Sequence, residues 1–404
     1  MSTSLLYRTF GIRGYRYVAT LYKGGRTVFR IEQARETLRC PQCRSDNVIG
    51  RGQSVRDFRT VPIGSKRVFV RLAVPRVECR SCGVVRRVEV AFAQRRRSYT
   101  RAFERYALDL SRHMTIKDVA EHLGISWDVI KDIQKRYLSR RFAQPKLKKL
   151  KRIAIDEISI GRGQCYLTVV LDLESGAVVF VGENRGTEAL DPFWRSLRAA
   201  HARVEAVAMD MWRAYWVAVR THVPDATIVF DRFHVVKLFN EKLSDLRREL
   251  AREATEVSHK KVLKGTRWLL LKNPDHLDES RNERARLDDA LRLNKPLATA
   301  YYLKEDLRQF WEQRDKPDAA AFLTDWIARA GASGVRMLQK FAKTLACHRS
   351  GLLAYYDYPI STGPLEGTNT KIKLLQRQAY GFRDHEFFKL KIKGLHETKY
   401  ALVG

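Results

Sequence analysis

Asp156, Asp210 and Glu366 are the acidic residues whose sequence context suits shared metal binding. Asp156 and Asp210 each close a short apolar run that predicts a buried strand, and ligands collect at the carboxyl ends of strands in open α/β sheets. Two neighbouring carboxylates repel each other unless a cation lies between them. With Glu366 from a helix they would form an oxygen-rich site for hard divalent cations. Two such ions can activate an attacking oxygen and stabilise a leaving one, which is nuclease and strand-transfer chemistry.

Glu366 lies in the first turn of a predicted helix in GPLEGTNTKIKLLQRQ. Pro364 suits a first helical turn, and Thr362 or Gly363 can precede it as the cap. A carboxylate beside an amide and two cations suits a surface that holds metal and phosphate. The alternative is a solvated helix face with i,i+4 pairs, and this stretch alone leaves both open. The residues that share the helical face of Glu366 are Asn369, Thr370, Lys373 and Arg377.

Other acidic residues compete for the same role. Glu157 follows Asp156 directly and should face the opposite side of the strand. Asp172 and Glu174 lie at a predicted hairpin and are expected to be turn residues.

Asp231 also ends a predicted strand and opens the run Asp-Arg-Phe-His, residues 231–234. Its carboxylate can join the acidic site or bond His234, or it can cap the following helix. The sequence leaves these alternatives open. A histidine such as His234, taken alone, is more often structural.

The six cysteines include two C-x-x-C pairs, Cys40/Cys43 and Cys79/Cys82. Paired C-x-x-C knuckles joined by strands predict one tetrahedral structural Zn²⁺ with all four positions closed. The long gap between the pairs requires a hairpin insertion. Free structural cysteines or a redox pair are the alternatives. Cys165 and Cys347 stand alone, and Cys165 is expected in the core.

Residues 115–137 predict a helix-turn-helix. Thr115 caps a short helix, Gly124 breaks it, and Ser126 caps a second helix that would enter the DNA groove. Flanking basic runs favour phosphate contact, whereas an ordinary helical hairpin is the alternative. The residues expected to contact DNA are Ser126, Trp127, Lys131, Lys135 and Arg136.

The 404-residue chain carries a formal net charge of +31, which indicates a polyanionic partner. Nucleic acid is the first candidate and an anionic membrane surface the second. No apolar run approaches a membrane span, and the N-terminus lacks the features of a signal peptide. We therefore expect a soluble intracellular protein.

The predicted fold is multidomain α/β. After Arg152 the pattern gives three strands in a meander, then helix, strand, helix and strand, which matches a ribonuclease-H-like mixed sheet. An all-α insertion of roughly four to six helices then separates the last strand from Glu366. The predicted segments are a β-rich segment (1–39), a zinc ribbon (40–94), a helix-turn-helix domain (95–143), a basic linker (144–152), the first part of the catalytic domain (153–233), the helical insertion (234–357) and the last part of the catalytic domain (358–404).

This order of elements resembles bacterial insertion-sequence transposases of the ISL-three group over nearly the whole chain. After the zinc ribbon and helix-turn-helix, the motifs that carry the resemblance are AIDEISI, VAMDMWRAYWVAV, FDRFHVVKLFN and GPLEGTNTKIKLLQRQAYGFR. It implies a DDE transposase with Asp156, Asp210 and Glu366 as the triad that holds two Mg²⁺ or Mn²⁺. Related groups carry an Asp/Cys-x-x-His signature after the second acid, and residues 231–234 match it.

The resemblance implies metal-dependent hydrolysis at transposon ends, followed by attack of the exposed 3′ hydroxyls on target DNA. Lys373 or Arg377 would hold a phosphate, and the ribbon and helix-turn-helix would bind terminal inverted repeats of double-stranded DNA. Because two ends must be handled together, a homodimer is expected. The location implied is the bacterial cytoplasm, associated with the nucleoid.

Three tryptophans of the helical insertion have two possible roles. Trp268, Trp311 and Trp326 can either stack a flipped base or pack between helices in the core. Trp212 and Trp216 are expected to be core.

The alternative function is a catalytically inactive, sequence-specific DNA-binding regulator derived from a transposase. A third possibility is an RNA-cleaving ribonuclease of the same topology.

Overall fold

Two units make up the chain, residues 1–140 and 141–404. The computed structural model describes residues 3–161, 163 and 165–400. The first and last predicted segments extend to residues 1–2 and 401–404, which lie outside the described residues. Within the described part of the chain, no helix combines the length and the apolar composition that crossing a bilayer requires.

The first unit contains a sheet and, after it, three helices. Its N-terminus differs from the predicted strands, because Leu6 and Phe10, spaced i,i+4, form the buried face of a short helix. The elements are α1 (Thr3–Phe10), β1 (Arg16–Lys23), β2 (Arg26–Glu32), β3 (Val48–Ile63), β4 (Lys66–Cys79), β5 (Val85–Arg87), α2 (Arg101–Leu110), α3 (Ile116–Leu123) and α4 (Trp127–Phe142).

The sheet has the strand order β1-β2-β4-β3, with β5 on β4. The antiparallel β3–β4 hairpin joins the two cysteine pairs, as predicted. Every second residue of β4 is buried from Val68 to Val74, because alternate side chains of a strand share a face. β2 pairs with β4 in parallel, so the boundary predicted at residue 39 falls inside one continuous sheet.

The three helices form the predicted helix-turn-helix around their own apolar core. Thr115 and Asp118 each bond the backbone N–H of the other, which is a capping box at the start of α3. Gly124 ends α3 with φ of +60°, a conformation that glycine adopts without steric cost. The shared core residues are Phe103, Val119, Leu123, Ile130 and Ile133.

The second unit contains a mixed five-stranded sheet with the order β10-β9-β6-β7-β8. β6, β7 and β8 form the antiparallel meander, while β9 and β10 continue the sheet in parallel, as predicted. This is the ribonuclease-H-like arrangement. The strands are β6 (Arg152–Ser159), β7 (Tyr166–Asp172), β8 (Val178–Glu183), β9 (Ala206–Met209) and β10 (Thr227–Phe230).

Helices cover both faces of this sheet. Those between the strands are α5 (Asp191–Ala199) and α6 (Arg213–His222), and those of the helical segment are α7 (Arg232–Glu253), α8 (Val257–Gly265), α9 (Glu283–Leu293), α10 (Lys295–Arg308), α11 (Lys316–Ala332), α12 (Arg336–Cys347) and α13 (Arg349–Leu353). The C-terminal helices are α14 (Gly363–Gln378), α15 (His385–Lys393) and α16 (Glu397–Tyr400).

Each face of the sheet has its own core. Ala154 and Ile158 of β6 pack with Leu365 and Ile372 of α14 on one face. Ile153 and Ile155 lie on the other, with Trp194, Tyr215 and the helical insertion. The basic linker 144–152 packs Leu147 and Leu150 into this second core, so it is not a solvated connection.

Candidate active site and zinc centre

The four paired cysteines converge as predicted. One ligand atom from each of Cys40, Cys43, Cys79 and Cys82 lies within 4.8 Å of the others. The Sγ atoms of Cys40 and Cys82 are 3.6 Å apart and those of Cys43 and Cys79 are 3.5 Å apart, which is far longer than a disulfide. Tetrahedral Zn²⁺ with bonds of about 2.3 Å requires sulfur–sulfur edges of about 3.8 Å.

A backbone turn at each C-x-x-C pair positions the cysteine side chains. The N–H of Arg44 donates to Cys40 O and that of Gly83 donates to Cys79 O, and both donors have positive φ. Backbone N–H groups of Cys43 and Gln42 point at the sulfur of Cys40 and lower the pKa of that thiol to about 6. The pKa of Cys79 is lowered as well, whereas neighbouring thiols raise the pKa of Cys43 and Cys82. Four thiols that compete for protons in this way are the setting in which a cation that binds thiolates is stabilising, so the cluster fits zinc.

Asp156 and Asp210 lie side by side on neighbouring parallel strands. The β6–β9 register pairs Ile155 with Met209, which places the two aspartates next to each other one residue later. The prediction that the first strand ends at Asp156 is wrong, because β6 continues to Ser159, where Ile158 packs into the core beneath α14. Asp210 does follow the last residue of β9.

His234 lies between the two aspartates. Its Nε2 is 3.9 Å from Asp156 Oδ1 and its Nδ1 is 3.8 Å from Asp210 Oδ2, with 11% of the side chain exposed. Both distances exceed a hydrogen bond, so the imidazole lies between the two acids without bonding either of them. The histidine therefore belongs to the acidic site.

The charge at Asp156 is poorly compensated. The pKa of its carboxyl is raised to about 6, mainly by burial and in smaller part by the Glu157 and Asp210 charges, against the lowering effect of His234 and the Glu157 N–H. Glu157 points to the other face, as predicted, where it bonds Tyr215, and burial followed by the Asp210 charge raises its pKa too. Several acids crowded in a buried site are the setting in which a bound cation stabilises the fold.

Asn369 connects the helix of Glu366 to this site. Its Nδ2 donates to Asp156 Oδ2 at 2.8 Å, while its Oδ1 is buried without a hydrogen-bond partner. A buried carbonyl oxygen without a donor is costly unless a cation or water satisfies it. The donor set is mainly oxygen, which fits Mg²⁺ or Mn²⁺.

Glu366 lies in the first turn of α14, and its side chain is exposed. It shares a helical face with Asn369, one turn away. Among the described residues, the cysteine cluster is the single group of three or more ligands within 4.8 Å, so Asp156, Asp210 and Glu366 do not converge to that distance. Lys373 and Arg377 are exposed on the following turns.

Asp231 acts as the helix cap that the sequence offered as an alternative. One carboxylate oxygen accepts from Phe233 N at 3.0 Å and so caps α7, while the other accepts from Thr362 N at 3.1 Å. Asp231 is 3% exposed, and Thr362 precedes α14 without making a side-chain cap of its own. One buried carboxylate therefore ties the start of the His234 helix to the start of the Glu366 helix.

Replacing Asp231 by alanine should lower the free energy of unfolding by about 2–4 kcal/mol, because the buried N–H of Thr362 and the partly buried N–H of Phe233 both lose their acceptor. Asp315→Ala is the matched control, since Asp315 caps α11 through Asp318 N and should cost about 1 kcal/mol. Denaturant unfolding measures both. Equal losses would contradict the double role of Asp231.

The residues expected to contact DNA lie at the start and along the length of α4. Ser126 Oγ accepts from Asp128 N, as a cap should, and Trp127 is exposed. Arg136 instead donates to Glu104 and to Tyr99 Oη within the first unit. Lys131 and Lys135 are half-buried along the helix.

Exposed residues near the acids were missed by the sequence reasoning. Trp212 and Trp216, expected in the core, are 43% and 41% exposed, because Tyr215 takes the buried position on α6. Cys165, also expected in the core, is exposed. Trp311 and Trp326 are buried core, whereas Trp268 is 66% exposed. Aromatic residues on both sides of Tyr215 were the signal that one of three must face inward.

Comparisons with known proteins agree with this geometry. A family model described as transposase matches residues 153–392, the helix-turn-helix domain of transposase family ISL3 matches 88–138, and the zinc-finger of transposase IS204/IS1001/IS1096/IS1165 matches 36–82.

Two relatives span most of the chain. The chain is 32% identical to the transposase for insertion sequence element IS1001 of Bordetella parapertussis, over 91% of each chain. It is 31% identical to the transposase for IS1557 of Mycobacterium tuberculosis, over 89% of this chain and 86% of the relative. A solved structure, the Drosophila P element transposase strand transfer complex, covers 74% of this chain and 91% of its own at 12% identity and a TM-score of 0.36, a similarity too weak to argue from.

Proposed function

Because this chain belongs to the ISL3 family of transposases and is a DNA transposase, we propose that it uses a DDE-type site of Asp156, Asp210 and Glu366 to cut and join DNA. One observation carries the proposal. Asp156 and Asp210 are neighbours in the parallel register, and Asn369 on the Glu366 helix bonds Asp156 directly. Glu366 lies one helical turn before Asn369 on the same face of α14, which supports its assignment to the site.

The three acids would hold Mg²⁺ or Mn²⁺ ions. When bound, such ions activate the attacking hydroxyl and neutralise charge on the scissile phosphate. Asn369 orients Asp156 through Nδ2, and its buried Oδ1, which has no hydrogen-bond partner, could serve as a further oxygen ligand. His234 keeps the two aspartates apart at a fixed spacing.

Basic residues would position the DNA strand. Lys373 and Arg377 follow Glu366 by two and three turns on the same face of α14 and are exposed, which suits contact with phosphates flanking the cut. The net charge of +31 supports a general attraction to DNA.

We propose that the first unit recognises the terminal inverted repeats of the mobile element. The helix-turn-helix, with Ser126 and exposed Trp127 at the start of α4, would enter the major groove, and the zinc ribbon would add a second contact. A homodimer would bring two ends together for joining to the target.

Cleavage of a duplex bearing the element ends tests the proposal. With Mg²⁺ or Mn²⁺ the protein should expose 3′ hydroxyls, and Glu366→Gln should lower the cleavage rate at least about 10²-fold while leaving end binding unchanged. Glu174→Gln is the control, because Glu174 is an exposed acid in a hairpin turn of the same sheet. Equal rates for the two variants would remove Glu366 from the site.

The same assay separates the rival functions. End binding without any metal-dependent cleavage by the unaltered protein would favour the regulator. Faster cleavage of an RNA–DNA hybrid than of the end-bearing duplex would favour a ribonuclease.

A further inference from the structure

A layered group of side chains lies next to the acids on the sheet face that carries Glu157. The guanidinium carbon of Arg185 is 4.7 Å from the ring centre of Tyr166 and 5.0 Å from that of Trp212. Trp212 is 43% exposed and follows Asp210 by two residues. An exposed tryptophan in contact with an arginine thus lies two residues after one of the proposed catalytic acids.

The support under this ring is rigid. Tyr215, on the first turn of α6 after Trp212, is fully buried, and its hydroxyl lies 3.0 Å from Thr168 Oγ1. Arg185 is attracted to the partly buried Glu157, whose charged form it stabilises. Because the cation and the helix are both held from beneath, Trp212 keeps its orientation without a ligand.

We propose that Trp212, backed by Arg185, is a stacking platform for one unpaired DNA base beside the scissile phosphate. This inference rests on the proposed function. An exposed ring on a fixed cation stacks any base through its π-face, and the chain's surplus of positive charge suits a DNA strand better than an apolar peptide. A base stacked there is no longer paired, so the duplex is opened next to the phosphodiester bond that Asp210 must reach.

Two other tryptophans give matched comparisons. Trp216 lies one turn along α6 and is 41% exposed, almost the same as Trp212. Trp268 in the helical insertion is 66% exposed, and Arg267 lies 4.7 Å from its ring centre, so it repeats the arginine–tryptophan pair away from the acids. If any exposed tryptophan or any arginine–tryptophan pair sufficed, these residues would behave like Trp212.

The direct test is fluorescence of 2-aminopurine, placed in turn at each position flanking the cut in an end-bearing duplex, with Ca²⁺ in place of Mg²⁺ to prevent cleavage. The full-length protein should change the fluorescence at one position. Trp212→Ala should abolish that change, Trp212→Phe should retain part of it, and Trp216→Ala should leave it intact. Loss of the change in Trp268→Ala, with Trp212→Ala unaffected, would overturn the proposal.

A second test pairs protein and DNA changes. Trp212→Ala should slow cleavage of the intact duplex about 10- to 100-fold, as expected for loss of one stacked base. Removing that base, so that the nucleotide is abasic, should slow the unaltered protein similarly, and the two changes together should cost no more than either alone. Additive losses would overturn the stacking role.

The tests also distinguish the platform from the catalytic assignment. The fluorescence change needs no cleavage, so it can be present in Glu366→Gln. A normal fluorescence response with no cleavage by the unaltered protein would defeat the proposed function and leave the platform, whereas efficient cleavage without any response to Trp212→Ala would do the reverse.

Discussion

Asp156→Asn should abolish DNA cleavage and, in protein stripped of divalent metal, raise the melting temperature. The loss of activity follows because a neutral amide is a weaker cation ligand than a carboxylate, and several kcal/mol of charge stabilisation correspond to a fall of about 10³-fold or more. The gain in stability follows from burial. The Asp156 carboxyl has its pKa raised to about 6, so its charge opposes folding.

The effect of the Asp156 carboxyl on stability depends on pH. Between the ordinary pKa of 3.8 and about 6, the folded protein binds more protons at Asp156 than the unfolded chain does, so its contribution to stability falls as pH rises. Near pH 7 the full cost is present, on the order of 1–3 kcal/mol. Asparagine removes this cost but keeps one acceptor oxygen for two donors, Asn369 Nδ2 and Glu157 N, so the expected gain is smaller than the full cost of the charge.

Thermal melting with and without Mn²⁺ measures both effects. Mn²⁺ should raise the melting temperature of the unaltered protein and have little effect on Asp156→Asn. Asp172→Asn is the control of opposite sign, because Asp172 accepts from Glu174 N, Ser175 N and the Ser175 hydroxyl, so this variant should melt at a lower temperature. A metal-free Asp156→Asn protein that melts below the unaltered one would contradict the argument from buried charge.

Loss of one zinc ligand is the second change with a large expected effect. Zn²⁺ binding to a four-cysteine site is worth about 10–16 kcal/mol, or about 2.5–4 kcal/mol for each ligand if it is shared equally. Cys43→Ser should therefore weaken zinc binding by about 10²- to 10³-fold. Since Cys43 is exposed, the serine itself fits without disturbing the packing.

The consequences of zinc loss should be local. Hydrogen exchange should speed up at the two knuckles near residues 40–47 and 79–85, whereas β3 and β4 keep their own core of Phe58, Val70 and Leu72. Binding to the element ends should weaken, and the second unit should melt as before. Cys347→Ser, another exposed cysteine, is the control for zinc content. Full zinc occupancy in Cys43→Ser would show that the ribbon is held in another way.

Much of the site followed from local sequence patterns. Short apolar runs followed by acids predicted the strands of the sheet. Because parallel crossovers limit which strands can pair, they also predicted that Asp156 and Asp210 are neighbours. The cysteine spacing gave the zinc centre, and Thr115 and Gly124 gave the limits of α3. These features depend on residues close together in the chain.

The remainder depended on distant contacts. The sequence left the role of Asp231 open, because its second partner, Thr362, is 131 residues away. Trp212 was expected to be buried because an aromatic, apolar helix gives a weak indication of which side faces the core. The parallel pairing of β2 with β4 likewise joins two predicted segments. It consists of backbone hydrogen bonds, which no side-chain pattern in the sequence predicts.

The carboxylate of Asp231 has a consequence for how this protein can change over time. Because it binds both the first residues of α7 and the residue before α14, the helical insertion leaves the sheet and returns to it at one point. When the two ends of a segment are held together, lengthening the segment costs little additional loop-closure entropy, so the segment can be exchanged for a longer or shorter one. Helices can be added, trimmed or replaced within it while His234 and Glu366 keep their relation to the sheet.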